Sequence, residues 1–98
     1  MRWLMGWAMI VLPLSNVWAV GDPIAGRVKA KACVQCHGER GEGIGSMPKL
    51  EGYSRQQIVQ QLLDYKHGRR QHVMMNTIAS KLSERDIADI AAFFASMH

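Results

Sequence analysis

Apolar residues fall in four blocks along the chain, separated by polar and glycine-rich stretches. The first is a nearly unbroken run from Trp3 to Leu14, interrupted at Pro13 and followed by Ser15-Asn16. In the second, Asp22 can cap a helix and Pro23 suits its first position, where a missing N–H costs nothing. Ala25, Val28, Ala32 and Cys36 give that helix a sparse apolar face, predicting a continuous helix to about Cys36. In the third, Ser54 begins a helix with Gln57 as its capping-box partner. Ile58, Val59, Leu62, Leu63 and Tyr65 form its stripe, and Gly68 ends it after Lys66 and His67. In the fourth, Ser83 caps a helix with Glu84 and Asp86 in its first turn, and Ile87, Ile90, Ala91, Phe94 and Met97 recur at three- and four-residue spacing.

Between these blocks lie two irregular segments. Residues 38–52 contain Gly38, Gly41, Gly43, Gly45, Gly52 and Pro48, a composition that excludes long regular structure and predicts a loop wrapped around something. Arg69 to Thr77 reads as a second loop, running into a short helical turn through Ile78 and Ala79. No stretch alternates with period two, so the expected fold class is all-α, with three main helices and two loops.

The first block changes the picture of composition. The chain has 98 residues and is 48% hydrophobic, but all three tryptophans (Trp3, Trp7, Trp18) sit in the first eighteen positions. Arg2, the apolar run and the small residues before Val20 have the layout of a secretory signal peptide over residues 1–19, with Val17-Trp18-Ala19 as the cleavage site. The alternative is an uncut membrane anchor, which needs about 20 apolar residues to span a bilayer. Export with cleavage leaves one domain over residues 20–98.

A domain of that size has an apolar core worth only roughly 3–5 kcal/mol, so a supplement is expected. A disulfide between the two cysteines would close a tiny loop and constrain the unfolded chain very little. A bound cofactor is the better candidate. The length excludes a doubly wound nucleotide-binding domain, a β/α barrel or a multi-domain enzyme. The formal charge of +4 is too mild, and too little interleaved with aromatic residues, to point to nucleic acid.

Cys33-Val34-Gln35-Cys36-His37 is the most informative stretch. It reads as C-x-x-C-H, the attachment signature of c-type haem. Cysteines three apart on a helical turn share a face and can both reach the vinyl groups of one haem edge, while the adjacent His37 is held beneath the iron as its proximal ligand. Two other readings compete. A thioredoxin-like disulfide needs a βαβ framework that this sequence lacks. A zinc site needs two further ligands, for which His67 and His72 are available.

Haem iron held by one histidine has a sixth position, commonly filled by methionine. Met47, Met74, Met75 and Met97 are the candidates. Met97 belongs to the apolar face of the last helix, and Met47 lies close to the attachment site beside Pro48. Met74 and Met75 lie far enough along the chain to return over the opposite haem face.

These residues, together with Gly26, Pro48-Lys49-Leu50-x-Gly52, Gln61-Leu62-x-x-Tyr65-Lys66-x-Gly68-x-Arg70 and Leu82-Ser83-x-x-Asp86-Ile87-Ala88-Asp89-Ile90-Ala91-Ala92-Phe93-Phe94, resemble a class I cytochrome c, and more narrowly the cytochrome c4/c553 branch. The resemblance covers essentially all of residues 20–98. It implies three main helices and loops wrapped around one covalently attached haem c. It implies thioethers at Cys33 and Cys36, His37 as proximal ligand, and Met75, eight residues before Ser83, as distal ligand, with Met74 the runner-up. It also implies that the Pro48 carbonyl accepts the Nδ1–H of His37, and that Gly26 faces the Phe93/Phe94 region where the first and last helices cross. The chain departs from the pattern with Tyr53 and then Gln57 after Leu50-x-Gly52, which leaves Arg55, Gln57 and Arg70 as candidates for the haem propionates. Cytochrome c4 itself carries two such domains, so a dimer of this chain would form between chains.

The implied function is a periplasmic one-electron carrier, cycling Fe(II)/Fe(III) between respiratory or dehydrogenase partners. It is not an enzyme. Partners are a redox donor and acceptor with an acidic docking surface, steered by Lys29, Lys31, Arg40 and Lys49. A membrane is involved only if the leader stays uncut. The alternatives are a haem subunit of a larger oxidoreductase, or a peroxidase or gas-binding protein with an open sixth position.

Overall fold

The computed structural model describes residues 20–97, and the expected signal peptide lies outside them. The described residues form five helical segments and no strand beyond an isolated bridge between Ile44 and Met47. These are α1 (Pro23–Lys29), α2 (Lys31–His37), α3 (Arg55–Lys66), α4 (Val73–Ser80) and α5 (Glu84–Ala95). The fold is all-α, as the periodicity implies.

The expected helix from Pro23 to Cys36 is broken at Ala30, where ψ swings to 3°. Ala30 still donates to the Gly26 carbonyl, while its own carbonyl accepts from both Cys33 and Val34, which tightens the turn and deflects the chain. No glycine or proline marks the site. The buried side also differs from the expected one. Val28 is 61% exposed, whereas Gly26, Ala30 and His37 are buried and Cys33 and Val34 pack on the core, a stripe at four- and three-residue steps. The bend lets α1 lie along α5 while α2 turns toward the interior.

Gly26 is where α1 meets α5. A Cβ there would stand 1.9 Å from the Asp89 carbonyl oxygen and 2.9 Å from the Phe93 Cβ, so only glycine allows this approach. Helix α5 is more enclosed than one apolar stripe implies. Ile87, Ile90, Ala91 and Phe94 form the central core with Ile58 and Leu62 of α3, while Ala88, Asp89 and Ala92 are also buried, beneath the segment leading into α1 and α1 itself. Asp89, 1% exposed, accepts from the Asp22 N–H at 2.8 Å and the Lys29 ammonium at 2.6 Å.

Helix α3 starts with the expected capping box between Ser54 and Gln57 and closes before Gly68. A box also caps α5, with Asp86 reaching back to the Ser83 N–H. Helix α4 is the main departure, because it begins inside the segment read as a loop. Its cap is His72, a residue outside the usual capping set, whose ring nitrogen accepts from the Met75 N–H at 3.4 Å. Asn76 completes the turn by accepting from the His72 N–H at 2.8 Å.

Candidate functional site

A cleft open along one side lies between α2 on one wall and α3 and α4 on the other. Cys33 and Cys36, three residues apart, both line it as half-buried free thiols. Burial, with Cys36 adding to it, pushes the Cys33 thiol above its ordinary value. His37, the last residue of α2, lines the same wall and is 7% exposed.

The glycine-rich loop determines how that histidine is used. Its chain folds back so that the Gly41 carbonyl accepts from both Leu50 and Glu51 while Gly43 donates to the His37 carbonyl. Gly41 has φ +71°, and a Cβ there would stand 3.0 Å from the Phe94 ring and 3.1 Å from the Leu50 Cβ. This fold places the Pro48 carbonyl 2.6 Å from His37 Nδ1. A carbonyl can only accept, so Nδ1 carries the proton and Nε2 keeps its lone pair for a metal.

The other side of the cleft is built by α3 and α4. Ile58, Gln61, Leu62 and Tyr65 come from one face of α3, and Met74, Met75 and Ile78 from α4. Ile90 and Phe94 of α5 close the back. Met75 is half-buried and packs on the core cluster, whereas Met74 is 56% exposed. Met47 lines the wall beside Pro48, and Met97 packs on the core without reaching the cleft.

The chemistry of this set suits a covalently held porphyrin. Two thiols can supply thioethers, one imidazole is presented with a free ring nitrogen, and thioether sulfurs lie on the facing elements, between predominantly apolar walls. A zinc site drawing on both His67 and His72 is not assembled. His72 lines the cleft but His67 does not, and no group of three or more His, Cys, Asp or Glu among the described residues could hold a metal.

Among the three propionate candidates, only Arg70 lines the cleft, its guanidinium 4.9 Å above the Tyr65 ring. Arg55 does not line it, and the Gln57 side chain is committed to accepting the Ser54 N–H. Among the four cations expected to steer a partner, Lys29 is taken by Asp86 at 3.0 Å and Asp89 at 2.6 Å, and Arg40 stands 3.7 Å from Glu51. Lys49 lines the cleft mouth and Lys31 is exposed.

Sequence reasoning gave no role to Tyr53 or Gln61 as cleft-lining groups, to Asp89 as a buried anion, or to Asn76. Gln61 and Tyr65 were within reach, since they lie four apart on the face that carries Ile58 and Leu62. Asp89 and Asn76 leave no such trace, because their partners are backbone groups and a lysine brought in by tertiary packing.

A sequence model of the Cytochrome c family matches residues 25–98. Cytochrome c4 of Pseudomonas aeruginosa is 42% identical over 79 residues, covering 80% of this chain and 39% of that protein. Cytochrome c-554(548) of Halomonas halodenitrificans is 39% identical over 80 residues, covering 78% of this chain and 96% of that protein. A structure of Acidithiobacillus ferrooxidans cytochrome c4 superposes with a TM-score of 0.70 at 31% identity, covering 78% of this chain and 49% of that one. The chain thus spans about two fifths of the length of the cytochrome c4 proteins it matches, and nearly all of the length of the cytochrome c-554(548).

Proposed function

The chain belongs to the cytochrome c family, with haem c as its cofactor, and on that premise we propose that it is a one-electron carrier whose iron is held by His37 and Met75. Cys33 and Cys36 form the thioethers to the ring. Bound there, the haem supplies reversible Fe(II)/Fe(III) chemistry, with no substrate bond made or broken.

The observation that carries this reading is the pairing across the cleft. On one wall, Cys33, Cys36 and His37 come from a single helix, and Pro48 fixes the histidine's tautomer. On the other, α4 offers Met75 from a core-packed position. Pro48 orients the imidazole and raises its basicity. Leu50, Ile58, Leu62, Ile90 and Phe94 exclude water, and Arg70 lies where it can offset a propionate charge. With His37 and Met75 both as ligands, the bound haem would have no free position for small molecules and would reorganise little on electron exchange.

Residues 1–19 act as an export signal, so the carrier works in the periplasm, where it meets a redox donor and acceptor. Lys31 and Lys49 remain to steer an acidic partner. The test is the spectrum of the reduced holoprotein before and after carbon monoxide. A low-spin, six-coordinate spectrum that carbon monoxide does not promptly alter supports the carrier; a high-spin spectrum that changes at once supports the enzyme or gas-binding alternatives and overturns this one.

A further inference from the structure

We propose that Asn76 is a positioning residue for the Met75 thioether, determining how firmly the methionine holds its place against an incoming ligand. The inference rests on the assignment of Met75 as iron ligand. Met75 lies in the first turn of α4, which is where helices fray because their first N–H groups have no partner within the helix. The cap supplied by His72 is weak, with 3.4 Å between its Nδ1 and the Met75 nitrogen. Asn76 compensates by tying that turn to two other parts of the chain and to its own cap. Its Nδ2 donates to the Tyr65 carbonyl at the end of α3 and to the Arg70 carbonyl in the intervening loop, each at 2.8 Å. Its Oδ1 accepts from the His72 N–H at 2.8 Å.

Those three bonds use both amide protons and the oxygen, so no other side chain of this size reproduces them. They also link α3, which contributes Gln61 and Tyr65 to the cleft, to α4, which contributes Met75. Without them the first turn of α4 is held by the long histidine contact and by ordinary helix bonds. Met75 then leaves its position more often, and an exogenous ligand competes better.

The experiment titrates imidazole into ferric holoprotein at fixed pH and follows the red-end thioether absorption band alongside thermal unfolding. Asn76→Ala should lower the apparent Kd for imidazole about tenfold, the worth of one to two net hydrogen bonds. Asn76→Asp keeps the acceptor for the His72 N–H but sets a carboxylate against two carbonyl oxygens, and should lower the Kd comparably. Asp89→Ala, far from α4, should lower the unfolding temperature without changing the Kd, which separates positioning from general loss of stability. Wild-type Kd in both Asn76 variants, or wild-type Kd in Asn76→Asp alone, overturns the inference. A thioether band that survives in Met75→Ala instead refutes the ligand assignment beneath it.

Discussion

His37 Nδ1 donates to the Pro48 carbonyl oxygen across 2.6 Å, joining the end of α2 to the end of the glycine-rich loop. The acceptor belongs to the backbone, so its position depends on how that loop folds. Gly41 controls this, because its carbonyl gathers the N–H groups of Leu50 and Glu51 just beyond Pro48.

Gly41→Ala should therefore cost about 2 kcal/mol, combining a left-handed φ with a methyl group pressed on Phe94 and Leu50. Chemical denaturation of the holoprotein measures it. A loss within a few tenths of a kcal/mol would mean that the loop relaxes freely and does not hold Pro48.

Gly26→Ala should be more damaging, at about 3 kcal/mol, because the added Cβ meets a backbone carbonyl of α5 rather than a side chain that can turn away. The prediction has a directional control. Gly45→Ala, with nothing within 4 Å of its would-be Cβ, should cost only its left-handed φ of +59°, about 1 kcal/mol. Equal losses at the two sites would contradict the close packing of α1 on α5.

Asp89 gives the molecule an acid-sensitive link. Burial opposes its ionisation, but the Lys29 ammonium and the Asp22 N–H outweigh burial and hold the carboxyl below its ordinary value. A group whose folded value is depressed contributes stability that is complete above its unfolded value, about 3.9, and is lost as pH falls through the folded one. Asp89→Ala should destabilise the holoprotein by about 2 kcal/mol at neutral pH. It should also flatten the loss of stability below about pH 4. Denaturation curves at neutral and acid pH that fall in parallel for both proteins would contradict the linkage.

The apoprotein should be largely unfolded. Ile58, Leu62, Ile90 and Phe94 belong to the core and also line the cleft, so the cofactor is the group against which one side of that core packs. Circular dichroism of a variant unable to attach haem, Cys33→Ser with Cys36→Ser, should lack a cooperative thermal transition. A sharp transition would show that the helices need no porphyrin.

How much of this could be read beforehand follows from which interactions are local. The caps of α3 and α5 and the core positions Ile58, Leu62, Ile87, Ile90 and Phe94 are local, and periodicity revealed them. The C-x-x-C-H run is local too, so Cys33, Cys36 and His37 were found together. The break at Ala30 was not visible, since it follows from fitting Gly26 against α5 and Cys33 toward the cleft at once. The first part of α4, up to Thr77, reads as loop because its cap is a histidine and its clamp, Asn76, binds carbonyls six and eleven residues away. Lys29, expected to steer a partner, is instead held by Asp86 and Asp89, which the sequence does not reveal because they lie some sixty residues further on.

The central claim is that His37 and Met75 hold one iron between them. The most direct measurement is the oxidised optical spectrum of wild type, Met75→Ala and Met74→Ala, read at the red-end band that arises from a thioether on ferric iron. The account predicts the band in wild type and Met74→Ala and its loss in Met75→Ala, together with a lowered reduction potential. A band that survives in Met75→Ala and vanishes in Met74→Ala would contradict it.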